Sequence, residues 1–412
     1  MSEVWSLTKI GDCCDILDNL RVPLNAEERE GMQGDIPYYG ANGLQGYIDN
    51  FIFDEPLILL AEDGGYFDEY ETRPIAYRIS GKSWVNNHAH ILRVKAGYPF
   101  CQDFIFYSLQ HKNITPFIKG GTRAKLNQRE LREILIPTPP RALQRHIAEI
   151  LSTLDGAIEQ TEALIAKMQQ VKAGLMHDLF TRGVTPDGHL RPTQEQAPEL
   201  YKESPLGWIP KAWDVKSLRQ VATYQHGRPF PSTDYSDEGV LLLRPGNLHV
   251  SGIVRWDASH TTRIPEQWLR EYPEDVLRHD DIVMNLTAQS LEDQFLGRVC
   301  IEQAAEPALL NQRIARFQTN QIHHHFLYWL LRSCQFRKQI DRTTQGTKVQ
   351  HIYNSDLNRV VLAIPAARQE QEDIAEKLRA ITELLVCSED DAKKYCQQKI
   401  GLMKDLLTDM CG

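Results

Sequence analysis

Gln144-Arg145-His146-Ile147-Ala148-Glu149 and Gln371-Glu372-Asp373-Ile374-Ala375-Glu376 share one pattern, Gln-x-x-Ile-Ala-Glu, 227 residues apart. The same offset carries Gly174-Leu175-Met176-His177-Asp178-Leu179 onto Gly401-Leu402-Met403-Lys404-Asp405-Leu406 without a gap. Upstream, Ile136-Pro137 matches Ile364-Pro365, and Gly121-Thr122-Arg123 matches Gly346-Thr347-Lys348. Trp5-Ser6-Leu7 resembles Trp213-Asp214-Val215, whereas the middles, roughly 12–120 and 220–345, do not match. The chain is a duplicated frame carrying two divergent inserts.

The shared part reads as helix. Apolar residues recur at Ile147, Leu151, Leu154, Ile158, Ile165, Met168, Val171, Leu175 and Leu179. The second copy has Ile374, Leu378, Ile381, Leu385, Ala392, Cys396, Ile400, Met403 and Leu407. Three-four spacing sustained this far predicts two helices of about 60 Å each. Such a stripe exceeds one compact domain, so antiparallel pairing as an intramolecular coiled coil is favoured over two helices docking on separate domains. The expected fold is α+β, with two globular domains separated by that pair. Expected bounds are 1–140 for the first domain, 141–182 for its helix, a proline-rich linker at 183–204, 205–365 for the second domain and 366–412 for its helix. Within the inserts, Ile75–Ile79, Trp84–Val94 and Gly239–Arg244 read as strands. Phe104–Leu109 and Phe326–Arg332 read as short buried helices.

Composition bounds the function. With 412 residues, 42% hydrophobic and 25% charged, the chain has the makings of folded cores. No apolar run approaches the roughly 18 residues of a membrane span, and Met1-Ser2-Glu3-Val4-Trp5 is no signal peptide, so a cytoplasmic location is expected. The eight cysteines form no C-x-x-C and read as reduced thiols. A net charge of −9 argues against nucleic acid until it is resolved along the chain. Residues 112–132 hold six Lys and Arg against Glu130 alone, and 313–348 hold seven against Asp341 alone. Both basic stretches carry the Gly-Thr-Arg/Lys element, which offers close backbone approach and a cation for phosphate, while the nearby amides of Asn127 and Gln350 suit base edges.

Other motifs fail. Gly81-Lys82-Ser83 lacks the first glycine of a phosphate loop and reads as a hairpin turn. His323-His324-His325 are consecutive and cannot aim at one metal; His88 and His90 read as a packed or DNA-facing pair. Neither a G-x-G-x-x-G, a G-x-S-x-G nor an H-E-x-x-H occurs. No catalytic constellation and no metal site is expected.

Taken in order, these motifs resemble the specificity (S) subunit of type I restriction–modification systems. The likeness spans nearly the whole chain and rests on the duplicated Ile-Pro…Gln-x-x-Ile-Ala-Glu entry and Gly-Leu-Met-x-Asp-Leu exit. Ser204-Pro-Leu-Gly-Trp-Ile-Pro-Lys-Ala-Trp213 and Ile36-Pro-Tyr-Tyr-Gly-Ala-Asn-Gly-Leu-Gln-Gly-Tyr-Ile-Asp49 add to it. The resemblance implies a non-catalytic subunit with two target recognition domains, each reading half of a bipartite duplex. Two methyltransferase subunits would dock on its helices, and restriction subunits would join that core. It also implies no cofactor in this chain, with S-adenosylmethionine, ATP and Mg in the partners, and no membrane association. Expected DNA contacts are Tyr39, Asn42, Asn86, Asn87, His88, Arg123, Lys125 and Asn127 in the first domain. In the second they are Arg228, Arg244, Asn247, Asn285, Gln289, Asn311, Gln312, Arg313, Arg342, Lys348 and Gln350. A coiled-coil adaptor for proteins alone and an enzyme with an unrecognised site remain the alternatives.

Overall fold

The computed structural model describes residues 5–119, 124–288, 295–343 and 350–407. Two compact units emerge: residues 1–164 with 388–412, and residues 165–387. Both long helices are uninterrupted, Arg141–Thr181 and Arg368–Leu407, and each contributes one part to each unit.

In the first unit a four-stranded antiparallel sheet runs Cys14–Ile16, Ala89–Val94, Leu57–Ala61, Ala76–Ile79. A second sheet runs Gly43–Ile48, Ile36–Gly40, Lys82–Val85, Phe53–Asp54. The strand Leu57–Ala61 is buried on both faces, which is why it reads as a continuous apolar run. The helix Gln102–Gln110 is buried from Phe104 to Leu109 and packs with Ile147, Ala148 and Leu151 of the first long helix and Met403 of the second. Asp155 joins the same two helices, accepting from Tyr107 Oη at 2.6 Å and pairing with Lys399 Nζ at 2.5 Å.

The second unit repeats the plan with different strands. One sheet runs Thr223–His226, Ile314–Gln318, Ile282–Asn285, Val299–Ile301, and another Arg263–Ile264, Val240–Leu243, Ala308–Leu310, Val276–Leu277. Its core sets Trp213, Phe317, Phe326 and Phe336 against Leu179 and Phe180 of the first long helix and Ile374 and Leu378 of the second. In each unit, then, the start of one long helix lies with the end of the other: the two pack antiparallel.

The repeated motifs do the same work twice. Ser6–Lys9 pairs antiparallel with Leu135–Thr138, and Trp213–Ser217 with Val361–Pro365, which places Ile-Pro beside the opening strand in both units. The repeated glutamine then ties the long helix to the insert. Gln144 donates to the Pro139 carbonyl at 2.8 Å and accepts from Cys101 N at 2.9 Å, where the helix Gln102–Gln110 begins. Gln371 donates to the Pro365 carbonyl at 2.8 Å and accepts from His323 N at 2.7 Å, where the helix His324–Leu330 begins. Each side chain is buried and satisfies an orphan amide of a helix N-terminus.

Three local expectations differ from the structure. Trp84–Val94 is two strands, because the side chain of Asn86 accepts from His88 N at 2.8 Å and turns the chain between them. Gly81 does turn, at φ +69°, but the flanking strands join different sheets and form no hairpin. The stretch 183–204, read from its prolines as a linker, is folded onto the second unit. Val184, Ala197 and Tyr201 are buried, and Arg191 pairs with Glu370 Oε2 at 2.8 Å, a carboxylate that also accepts from Trp213 Nε1 at 2.9 Å. Gly183, at φ +66°, lies so close that a Cβ would meet Glu370 Oε1 at 2.2 Å.

Gln144→Leu or Gln371→Leu leaves a buried amide and a carbonyl unpaired, at about 1–3 kcal/mol each. Each variant is expected to destabilise its own unit selectively. Hydrogen exchange should accelerate at the Cys101 amide in the first and the His323 amide in the second, with the other unit unchanged.

Candidate nucleic-acid interface

In the first unit the basic stretch is anchored by a buried ionic cluster. Asp18, Glu62 and His90 bring three ligand-type atoms within 4.8 Å of one another. His90 Nδ1 lies 2.6 Å from Asp18 Oδ2, and its Nε2 donates to the Leu126 carbonyl at 2.8 Å. Glu62 pairs with Arg21 and, at 3.0 Å, with Lys125, while its carbonyl accepts from Leu126 N at 2.8 Å. Arg21 and Lys125 supply the positive charge a cation would bring, so the cluster reads as an anchor for residues 125–128. Burial raises both carboxyls; hydrogen bonds and attraction from His90 on Asp18, and from Arg21 and Lys125 on Glu62, outweigh it and hold both below the usual range.

The remaining first-unit candidates sit close by. Asn42 is exposed and donates to the Gly64 carbonyl at 3.0 Å; Asn87 is exposed; His88 Nδ1 lies 2.6 Å from Asp63 Oδ1. Asn127 is exposed just before the helix Gln128–Glu133. Tyr39 is half-buried, and burial raises its phenol. Asn86 is buried and donates to Gln45 Oε1 at 3.0 Å. Arg123 lies outside the described residues.

The second unit corrects the charge argument. Three cations of its basic stretch are spent inside the fold. Arg316 donates to the carbonyls of Val276 and Glu274, Arg332 to those of Val299 and Ser251, and Arg337 pairs with Asp341 at 2.6 Å. Arg313 and Arg342 are exposed, as is Gln312. Arg244 is exposed over Tyr235 and donates to Thr262 Oγ1 at 3.0 Å.

Asparagines are the other surprise. Asn247 accepts from Arg244 N at 2.8 Å and donates to the Arg255 and His260 carbonyls. Asn285 donates to the Thr287 and Phe295 carbonyls, and Asn311 accepts from Arg313 N at 3.1 Å. All three are buried and shape loops, as Asn86 does. Gln289 and Lys348 lie outside the described residues; Gln350 begins a short strand that pairs with Thr287–Ala288.

Arg228 is the best-built cation. Its Nε bonds Asp275, its Nη2 lies 2.5 Å from Glu274 Oε1, and its Cζ sits 3.8 Å from the Tyr272 ring centre. Sequence reasoning named Arg228 but missed its three partners, as it missed Asp18, Glu62 and Arg21. Apart from Asp18 and Arg21, these partners lie 28 or more residues apart in the chain, which leaves no local signal.

The described residues thus present two mixed units, each holding part of the duplicated helical frame with polar loops beside it. Comparison with known proteins gives the family. The model for the type I restriction modification DNA specificity domain matches residues 2–170 and again 210–389. The specificity subunit of the type I restriction enzyme MjaVIII from Methanocaldococcus jannaschii is 27% identical over 98% of this chain and 92% of its own. A putative specificity subunit of a type I restriction enzyme from Haemophilus influenzae is 35% identical over 35% of this chain and 36% of its own. A crystal structure of an S subunit from M. genitalium shares the fold, with a TM-score of 0.64 at 15% identity, covering 98% of this chain and 96% of the other. The chain belongs to the type I restriction–modification specificity family. It is the DNA specificity subunit of such a system, and the family is non-catalytic.

Removing one partner of a buried ion pair costs about 3–5 kcal/mol. Glu62→Ala removes the carboxylate that Arg21 and Lys125 share and should destabilise the first unit in urea unfolding by less than that, because Arg21 keeps Asp18 and three main-chain carbonyls and Lys125 is exposed. Because Asp18 and Glu62 are depressed in the fold, their stabilisation is full above the unfolded carboxylate values near 4 and is lost as pH falls through the lower folded values. The unfolding midpoint of the first unit should therefore drop on acidification below about pH 4, and Glu62→Gln should flatten that dependence.

Proposed function

We propose that this subunit reads a bipartite duplex target. Residues 1–140 and 205–365 form the two recognition modules, 141–182 and 366–412 the helical spacer, and 183–204 the strap between them. The observation that carries the reading is the frame built twice around a buried glutamine, holding inserts that repeat one strand order but differ in sequence and loop chemistry. A duplicated frame with unlike inserts is what two different half-sites require, and a rigid spacer fixes the unread base pairs between them.

For DNA contact the exposed and half-buried candidates are favoured: Tyr39, Asn42, Asn87, His88, Lys125 and Asn127, then Arg228, Arg244, Gln312, Arg313 and Arg342, with Arg123, Gln289, Lys348 and Gln350 from the sequence. Asn86, Asn247, Asn285 and Asn311 set loop shape. Two methyltransferase subunits dock on the long helices, where Leu164, Val171 and Leu384 are exposed, and restriction subunits join through them. S-adenosylmethionine, ATP and Mg belong to those partners, and the assembly works in the cytoplasm. Among the described residues no helix is long and apolar enough to cross a membrane.

Mapping methylated bases in cells carrying this chain and its methyltransferase should give one two-part motif with a fixed gap. Lengthening both helices by the same few residues should change the gap and keep both half-sites. Specific binding by the assembled complex should weaken steeply from 50 to 200 mM salt. Absence of sequence-specific binding by that complex would sink the reading.

A further inference from the structure

Arg228 is held in a way that ordinary surface cations are not. Asp275, whose side chain is 2% exposed, takes its Nε, and Glu274 takes one hydrogen of Nη2. Asp275 is itself fixed by Gln225 Nε2 at 2.8 Å. The guanidinium lies over Tyr272, which stacks on Trp268 at 5.6 Å and 11° between planes, and Trp268 Nε1 donates to Asp234 at 3.0 Å. The backbone is fixed as well: Arg228 N donates to the Leu310 carbonyl at 3.2 Å, and its own carbonyl accepts from Gln312 N at 3.1 Å. Gly227 lets these strands approach, since a Cβ there would fall 2.0 Å from the Leu310 carbonyl oxygen. Yet the Arg228 side chain remains 37% exposed.

Charge decides what such an arginine suits. Glu274, Asp275 and Asp281 against Arg228 and Arg316 leave the cluster net negative, which disfavours a phosphate. A neutral pair of acceptors suits the remaining Nη1–Nη2 edge, and guanine offers one in O6 and N7. Glu274, 51% exposed, can accept from the N4 amine of the paired cytosine. We propose that Arg228, braced by Asp275, Glu274 and Tyr272, is a specificity-determining residue that reads the guanine of one G·C pair in the target. This rests on the reading of the chain as a bipartite DNA reader and adds to it one residue and one base.

The test uses the complex assembled with its methyltransferase and the target found by methylation mapping. Competition binding is measured against duplexes substituted at each position in turn, and against duplexes carrying 7-deazaguanine, which lacks N7. Arg228→Ala and Arg228→Lys should each lose about ten- to hundredfold discrimination at one G·C pair and keep the rest of the profile. At that pair 7-deazaguanine should weaken the wild-type complex and leave Arg228→Ala unaffected. Glu274→Gln, at an exposed side chain, should weaken discrimination at the same pair and is the variant to use should Arg228→Ala fail to assemble. Three results overturn the proposal: an unchanged profile in the variants, a uniform loss at all positions that Arg228→Lys restores (a phosphate contact), and a lowered melting temperature with the profile intact (a purely structural ion pair). Failure of the wild-type complex to prefer any sequence would instead remove the underlying reading.

Discussion

Everything in this subunit hangs on a buried glutamine amide used twice. Gln144 and Gln371 each close the first turn of a short buried helix with one oxygen and grip a proline carbonyl with one nitrogen. An amide placed away from water must be satisfied or it costs more than it returns, so its partners set the insert's position to within hydrogen-bond tolerance. Both partners are main-chain atoms. The frame therefore fixes where an insert sits without constraining the side chains that the insert displays, and this reconciles a strict repeat with two unlike modules.

Electrostatics follows the same division between frame and display. Total charge misleads, and so does the count within a basic stretch. Arg316, Arg332 and Arg337 spend their charge and donors on carbonyls and carboxylates of their own fold. Lys119 and Lys125 are paired with Glu130 and Glu62. What remains for a duplex is a smaller set of exposed cations, among them Arg313 and Arg342, beside a few fixed groups. Affinity then leans on many weak phosphate contacts and on partner subunits, while selectivity falls to the preorganised few.

The sequence reveals what is local or repeated. Three-four periodicity marked both long helices, and apolar runs marked the buried helices around Phe104 and Phe326. The duplicated Gln, Ile-Pro and Gly-Leu-Met elements marked the frame. What stayed hidden depends on distance along the chain. Asp18 meets His90, Glu62 meets Arg21, and Asp275 meets Arg228 only once sheets have formed. Asparagine is ambiguous for a different reason: the same amide that reads an adenine also caps a turn, and burial alone separates Asn247 from Asn42. Prolines between 183 and 204 looked like a linker because composition does not show that Arg191 finds a buried carboxylate on Glu370.

The division of each long helix between both units has a consequence for how the protein is made. The first unit's core includes Met403, and Asp155 awaits Lys399, yet the whole second unit lies between them in the chain. At about 5–20 residues per second, a ribosome takes on the order of ten to fifty seconds to cross that interval. Throughout it the apolar face of Ile147 and Leu151 lacks its final cover. Translation therefore leaves a timed window in which the nascent first unit is incomplete.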